Sequence, residues 1–530
     1  MRRTTQFVAL LLAITYVLTA CASGPAASGG AGGGTLTRAM TDEPATIDPQ
    51  GAANSGLNLV LPYLFDTLVT RQKDGKYVGL LAESWQPSAD GKALDVTLKK
   101  NVKFHDGSPL NAAAVVFTFE RFKSVGAKSP IASDIKGIAK VEATGDLSVR
   151  FTLAKPNAAF LNTLTSPYAG IMSPTAVKAA ADDVGNKPVG TGPFKLGEWQ
   201  HGVGITLLRN PDYNWGSPEM ENRGPVRFDK LVFKLIPDSS TQLAALQKGD
   251  VDVVFVNEPS QLAKLKSDPN LHVVDANLDS IIYLGYNCAK APFDDARVRQ
   301  ALSYAVNKDE IVKTAVAGLG TVATTPLPPT LLGYNADLAK YGQGYDPAKA
   351  KALLAEAGFS QAADGSWQRN GQKLAGKLLT STRAPNDAIA TMLQSQFKAI
   401  GVPVEIQQLD SNAVMTATTQ GAYDILLWRY DWGDPDALNM YLSSGRIRQT
   451  NRVFYSNKQV DALFEQGLLE FDTAKRAKIY EEAQKLILTD APWQPLYVPS
   501  EGMAFRNRVQ GAKVGAMGRM LVNDVTLKDK

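Results

Sequence analysis

Between Trp428 and Asp436 the chain reads WRYDWGDPD, which sets two tryptophans, a tyrosine, an arginine and three aspartates just beyond the apolar run Ile425-Leu426-Leu427. Such a cluster could hydrolyse, chelate or hold something. Hydrolysis would use Asp431 and Asp434 as a carboxylate pair, as glycosidases do. Chelation would call for imidazole nearby, because imidazole is the preferred protein ligand for nickel or zinc. The three histidines, His105, His201 and His272, are scattered and none is near the cluster. His105 sits in the FHDG turn and reads as structural. No G-x-S-x-G, H-E-x-x-H or P-loop pattern occurs. GLGTVA (318–323) matches a dinucleotide loop only faintly; it follows a helical pattern, runs into prolines and reads as a loop.

Holding is the chemistry best served. Asp434, followed by Pro435 and then Asp436, reads as a helix start: an N-cap aspartate, proline at the first helical position and a second acid in the first turn. That is a structural use of both residues. Asp431 has no such use. It stands between aromatics past the end of a buried strand, where α/β clefts place their ligand contacts. A partly dehydrated carboxylate facing a cation makes a charge-assisted hydrogen bond worth about 1.5–3 kcal/mol. Trp428 and Trp432 would exclude water and add cation–π attraction; their alternative use is core packing.

The elements that position this cluster belong to a chain of 530 residues, too long for one core, so two or more domains are expected. Apolar content of 44% and charged content of 20% suit a globular body. The first twenty residues differ. A basic MRR, the run FVALLLAITYVL and the small residues before Cys21 form a signal sequence ending in a bacterial lipobox, with Cys21 as the lipidated residue. The following ASGPAASGGAGGG is a flexible tether spanning roughly 20 Å. The expected location is therefore extracytoplasmic, at the cell surface or in the periplasm, anchored to the membrane through Cys21. Cys288 is then the one cysteine left, which excludes an internal disulfide and a thiolate zinc site. The net charge of +4 falls to +2 without Arg2 and Arg3, and no basic run appears, so no nucleic-acid partner is expected.

Strand and helix patterns alternate throughout, as in a mixed α/β protein. TLTRAM is a first strand, and Leu57, Val60, Leu61, Leu64 and Leu68 have helical spacing. LDVTLKKNVKFHDG alternates as strands up to the Asp106-Gly107 turn, and Asn111 caps the helix that follows. KLVFKLI is a strand, STQLAALQKG a helix closed by Gly249, and DVDVVFV a strand. Helical patterns dominate from Asp294, with a further strand at VPVEIQQL. The Pro-rich 324–334 is a long loop, and NKPVGTGPF (186–194) is a turn-rich lead-in to a strand.

Several segments resemble, in order, the family-5 extracellular solute-binding proteins of ABC importers, the oligopeptide, dipeptide and nickel binders. They are LAESWQPSADGKALDVTLKKNVKFHDGSPLNAAAVVFTFERF, PVGTGPFKLGEW, ALQKGDVDVVFV, YNCAKAPFDDARVRQALSYAVNKDEIV, AKALLAEAGF, MLQSQFKAIGVPVEI, YDILLWRYDWGDPD and YEEAQKLILTDAPWQPLY. Together they cover nearly the whole chain after the tether. The resemblance implies a two-lobed periplasmic-binding-protein-like α/β fold of type II, hinged between the lobes, with an additional inserted subdomain. The expected boundaries are 1–20 signal peptide, 21–35 lipidated cysteine and tether, 36–60 with 190–277 and 495–530 for lobe I, 61–189 for the insert, and 278–494 for lobe II.

It also implies a monomeric binding protein rather than an enzyme, without a cofactor or resident metal, that captures an amine-bearing solute such as a peptide and delivers it to an ABC permease and ATPase. A metal-complex, opine or sugar receptor of the same fold is the alternative. Asp431 matches the aspartate that holds a peptide ligand's α-ammonium group, with Trp428 packed beside it. Asn54 and Ser55 fall where peptide binders offer backbone groups to an extended ligand, although a plain polar turn has the same composition. The chain departs from the family at the arginine that anchors a ligand's C-terminal carboxylate: the matching positions hold Ile425, and Ala388 or Asp387. Arg383 and Arg429 are the nearby candidates for that task.

Overall fold

A computed structural model describes residues 33–51, 54–277 and 279–528. The apolar leader, Cys21 and the tether up to residue 32 lie outside the described residues. Among the described residues no helix is long and apolar enough to cross a membrane.

Twelve strands form one mixed sheet: β1 (Thr35–Met40), β2 (Phe194–Gln200), β3 (Gly204–Arg209), β4 (Lys230–Leu235), β5 (Val253–Val256), β6 (Leu271–Asn277), β7 (Ser280–Tyr286), β8 (Gly320–Val322), β9 (Gly376–Ser381), β10 (Val404–Leu409), β11 (Ile425–Asp431) and β12 (Trp493–Arg506). The hydrogen-bonded order is β10-β9-β11-β7-β12-β5-β1-β4-β3-β2, with β6 and β8 also paired to β12. β12 belongs to both halves of this order. Trp493 to Tyr497 pair with β7, whereas Gly502 to Phe505 pair with β5 and Ser500 to Arg506 with β6. The chain makes a second crossing between the halves where β6 gives way to β7.

Local sequence explains the flanking helices. Helix α1 (Ser55–Leu64) buries Leu57, Val60, Leu61 and Leu64, but ends before Leu68, which joins a different core. Helix α2 (Ala112–Val125) begins at Asn111, whose side chain accepts the Ala114 N–H at 3.0 Å. Helix α3 (Ser239–Lys248) stops at Gly249, which takes φ of 89°, a conformation costly for any residue with a Cβ. Helix α4 (Pro259–Lys266) follows β5, helix α5 (Asn386–Ala399) joins β9 to β10, and helix α6 (Ser411–Gln420) joins β10 to β11. The three strands β9, β10 and β11 run parallel, so such crossovers are required. Two further helices matter below, the short α7 (Ala437–Leu442) and the 18-residue α8 (Thr473–Asp490). GLGTVA is not wholly loop: Gly320–Val322 forms β8, because the edge of β12 offers backbone partners there.

The apolar cores divide with the sheet. One joins Leu36, Tyr63, Phe194, Phe233 and Phe505, with Met172 and Val184. Another runs from Leu68 to Ile171 and includes Tyr213 and Trp215. It covers one face of a four-stranded antiparallel sheet (Ala82–Pro87, Ala93–Leu98, Ser148–Leu153, Ile138–Gly145) with α2, where Phe119 meets Phe151 edge-on at 4.9 Å. The largest cluster at the other end of the main sheet spans Ile282 to Tyr497. The four-stranded unit also reaches this end: Ala158 N–H donates to the Leu468 carbonyl at 2.8 Å, and Arg71 forms a buried ion pair with Asp279 between β6 and β7.

Candidate functional site

The first three residues of β11 are buried in the sheet, Ile425 and Leu427 on one core and Leu426 on another. β9 pairs with β11 only at Leu378–Ile425 and Leu379–Leu426, so the strand has left its parallel partner from Leu427 onward. On the other side β7 stays paired to the end, with Ser280 opposite Asp431. The polar cluster thus emerges at the carboxyl ends of parallel strands, the crevice that open α/β sheets use for ligands.

A cavity of about 290 Å3 opens there. Its walls come from the end of β9 with the start of α5 (Ser381, Arg383, Asn386), the start of α6, the end of β11, and the middle of β12 with the residues before α4. Asp410 caps α6, accepting from the Asn412 and Ala413 N–H groups at 3.0 and 3.1 Å. Among the described residues no side chain caps α5 or α4, and Pro385 and Asn386 at the start of α5 and Pro259 at the start of α4 line the cavity.

Three charged residues form one cluster on its wall. The Arg429 guanidinium donates from Nε to both oxygens of Asp431 at 2.9 Å, from Nη2 to Asp431 Oδ1 at 2.7 Å, and from Nη1 to Glu501 Oε1 at 2.7 Å. Asp431 is 46% exposed, Arg429 17% and Glu501 5%. Burial works against the Arg429 charge, but Asp431 and then Glu501 outweigh it and leave the guanidinium held more firmly protonated than usual. Two carboxylates face one cation, so the cluster carries a formal charge of −1. Arg383 is exposed and makes no ion pair or side-chain hydrogen bond with any described residue.

The remaining candidates separate. Trp428 lines the cavity half-buried, its ring 5.9 Å from the guanidinium of Arg452. Trp432 does not line it; its backbone N–H donates to the Asp279 carbonyl at 3.0 Å and its ring edges the core of Tyr283, Tyr430 and Trp493. Asn54 and Ser55 also lie off this cavity. The Asn54 side chain caps α1 through the Leu57 N–H at 2.6 Å and donates to the Glu43 carbonyl at 3.0 Å; Ser55 donates to Asp42.

The capping reading of Asp434 needs correction. Helix α7 begins only at Ala437, its N-cap Asp436 makes no side-chain cap bond, and Asp434 accepts the Asp436 N–H at 2.9 Å within the preceding turn. The carboxylate is instead pinned from afar. Arg476 of α8 donates to its two oxygens at 2.6 and 2.9 Å, and the Tyr77 hydroxyl adds a bond at 3.0 Å. At 1% exposure Asp434 is unavailable to a substrate, which dismantles the carboxylate-pair alternative. Asp436 accepts from Asn439 and Tyr480, and burial followed by the neighbouring Asp434 charge pushes it up to about 7. His105 is structural: its ring meets the Gly192 carbonyl at 3.0 Å and the Gly190 N–H at 3.3 Å, and burial pushes it down to about 4.

Sequence reasoning missed Glu501 and Arg452. Glu501 was signalled only by a lone acid between Pro499 and Gly502 in a strand run otherwise uncharged up to Arg506. Arg452 is 8% exposed with no carboxylate partner among the described residues, and nothing in RVFY announces it.

Comparison with known proteins agrees with this geometry. The model for bacterial extracellular solute-binding proteins, family 5 (middle), matches residues 76–449. The glutathione-binding protein GsiB of Salmonella typhimurium is 32% identical over 469 residues, 86% of each chain. The heme-binding protein A of Haemophilus influenzae is 33% identical over 449 residues, 78% of each. The oligopeptide-binding protein AppA of Bacillus subtilis, solved with a nonapeptide, superposes with a TM-score of 0.72 at 29% identity over 94% of this chain and 99% of its own. A two-lobed α/β body with a cavity at its strand ends, matched over most of its length by such proteins, belongs to family 5 of the bacterial extracellular solute-binding proteins, the ligand-capturing and non-enzymatic components of ABC importers.

Proposed function

We propose that this chain captures a small amine-bearing solute, a peptide or peptide-like compound, and delivers it to an ABC permease and ATPase. The carrying observation is the Arg429–Asp431–Glu501 cluster: a net −1 with its most exposed member, Asp431, facing the 290 Å3 cavity. A ligand ammonium completes its charge balance. Arg383 and the uncapped start of α5 supply the opposite sign for a ligand carboxylate, in place of the family arginine. Trp428 forms the apolar wall between them. A cavity of this size is at the small end for ligand sites.

In this reading 36–60, 190–277 and 495–530 form lobe I, 61–189 the insert and 278–494 lobe II, except that α1 carries lobe I on to Leu64 and β12 carries lobe II on to Tyr497, with the hinge at the two crossings. Closure is driven by contacts the ligand makes only when both lobes reach it. Cys21 carries the lipid anchor, and the body works as an extracytoplasmic monomer.

The test is thermal unfolding of the body from residue 36 against free-amine peptides, their N-acetylated forms, sugars and nickel chelates. Ligand at a hundred times its dissociation constant adds about 2.7 kcal/mol of stability. A shift with free-amine peptides alone supports the proposal. A shift only with sugar or chelated metal overturns the peptide reading.

A further inference from the structure

Glu501 touches Arg429 and sits on the far half of the sheet. Its segment of β12 pairs with β6, Glu501 opposite Ala276, while Arg429 lies on β11 opposite Ile282 of β7. In the structure Arg429 occupies Asp431 with three hydrogen bonds, where the proposed ammonium must go. A ligand cation therefore competes for this carboxylate with a guanidinium that is itself mostly buried. With Asp431 as its sole partner, that guanidinium would be stranded without a counter-charge, a costly outcome. Glu501, 5% exposed and 2.7 Å from Nη1, removes this obstacle by keeping Arg429 paired after Asp431 is released.

Resting on the amine reading above, we infer that Glu501 is a specificity-determining positioning residue: it holds Arg429 so that Asp431 can be surrendered to a ligand's ammonium group. Charge counting gives the same answer. With Glu501 present the cluster goes from −1 to neutral on taking up a cation. With a neutral residue in its place it goes from neutral to +1, which opposes uptake. Glu501 thus selects for a positive group without touching it, and a ligand lacking one gains nothing from it.

The experiment is calorimetric titration of trialanine, glutathione and N-acetyl-trialanine into the wild-type body and three variants, Glu501→Gln, Arg429→Met/Glu501→Gln and Asp431→Asn. Glu501→Gln is expected to weaken the free-amine probe by about tenfold or more, the scale of one charge-assisted bond. The double variant, which removes both buried charges and frees Asp431, is expected to bind it at least as tightly as wild type. A double variant as weak as Glu501→Gln means a merely structural role and overturns the inference, as does an unchanged Glu501→Gln. Should Glu501→Gln fail to fold, the double variant decides alone. If Asp431→Asn binds like wild type, or neither free-amine probe binds the wild-type chain, the amine reading itself falls.

Discussion

Asp431 and Asp434 are three residues apart, each paired with an arginine, and they have opposite fates. Asp431 shares Arg429 with Glu501 and is nearly half exposed. Asp434 takes Arg476 to itself at 1% exposure, with Tyr77 as a second donor. An ion pair that is shared and has one half-exposed member sits toward the weak end of the range, about 0–1 kcal/mol for exposed pairs, so a ligand can compete for it. Breaking a buried one by removing a partner costs about 3–5 kcal/mol, so nothing can. On the proposed reading, the carboxylate that meets the ligand is the one whose pairing is incomplete.

That contrast can be broken by substitution. The largest effect belongs to Asp434→Asn, which strands Arg476 and should lower unfolding stability by about 3–5 kcal/mol in chemical denaturation. An unchanged midpoint would erase the difference between the two sites. Asp431→Asn should leave stability within about 1 kcal/mol. The same change should cost a free-amine peptide about 1.5–3 kcal/mol of binding, read by titration.

A pH series sharpens the structural side. Asp436, buried beside Asp434, is raised to about 7 in the folded chain, above its unfolded value near 4. The folded state then binds the extra proton between these values, so stability declines as pH rises from about 4 to about 7, by at most about 1.4 kcal/mol per pH unit for this group. Asp436→Asn should remove that slope, measured as the difference in unfolding free energy between variant and wild type across the window. The smallest effect belongs to Arg383→Ala. It should weaken a peptide with a free carboxylate by about 1 kcal/mol, leave its C-terminal amide unchanged and leave stability unaltered, since an exposed arginine with no partner among the described residues supports no packing.

How far these sites were legible follows from the range of the interactions. The strand Ile425–Leu427, the position of Asp431 at its end, the Asn111 cap and the Gly249 stop rest on periodicity and local backbone chemistry, and these are written in adjacent residues. The partners of the aspartates are not. Glu501 lies 72 positions from Arg429 and Arg476 lies 42 from Asp434. Local logic correctly made Asp434 structural but gave the wrong reason, because a buried guanidinium from α8 outcompetes a helix cap worth about 1 kcal/mol. Leu68 kept the helical rhythm of α1 yet lies beyond its end in another core, since rhythm alone does not say where a helix stops.

β12 has a consequence for how the molecule comes apart. Fourteen consecutive residues provide a central strand to both halves of the sheet, Trp493 to Tyr497 beside β7 and Gly502 to Phe505 beside β5. Neither half can lose its middle without tearing the other's. On the proposed reading, lobes that close on a solute as two bodies are therefore expected to unfold in a single transition.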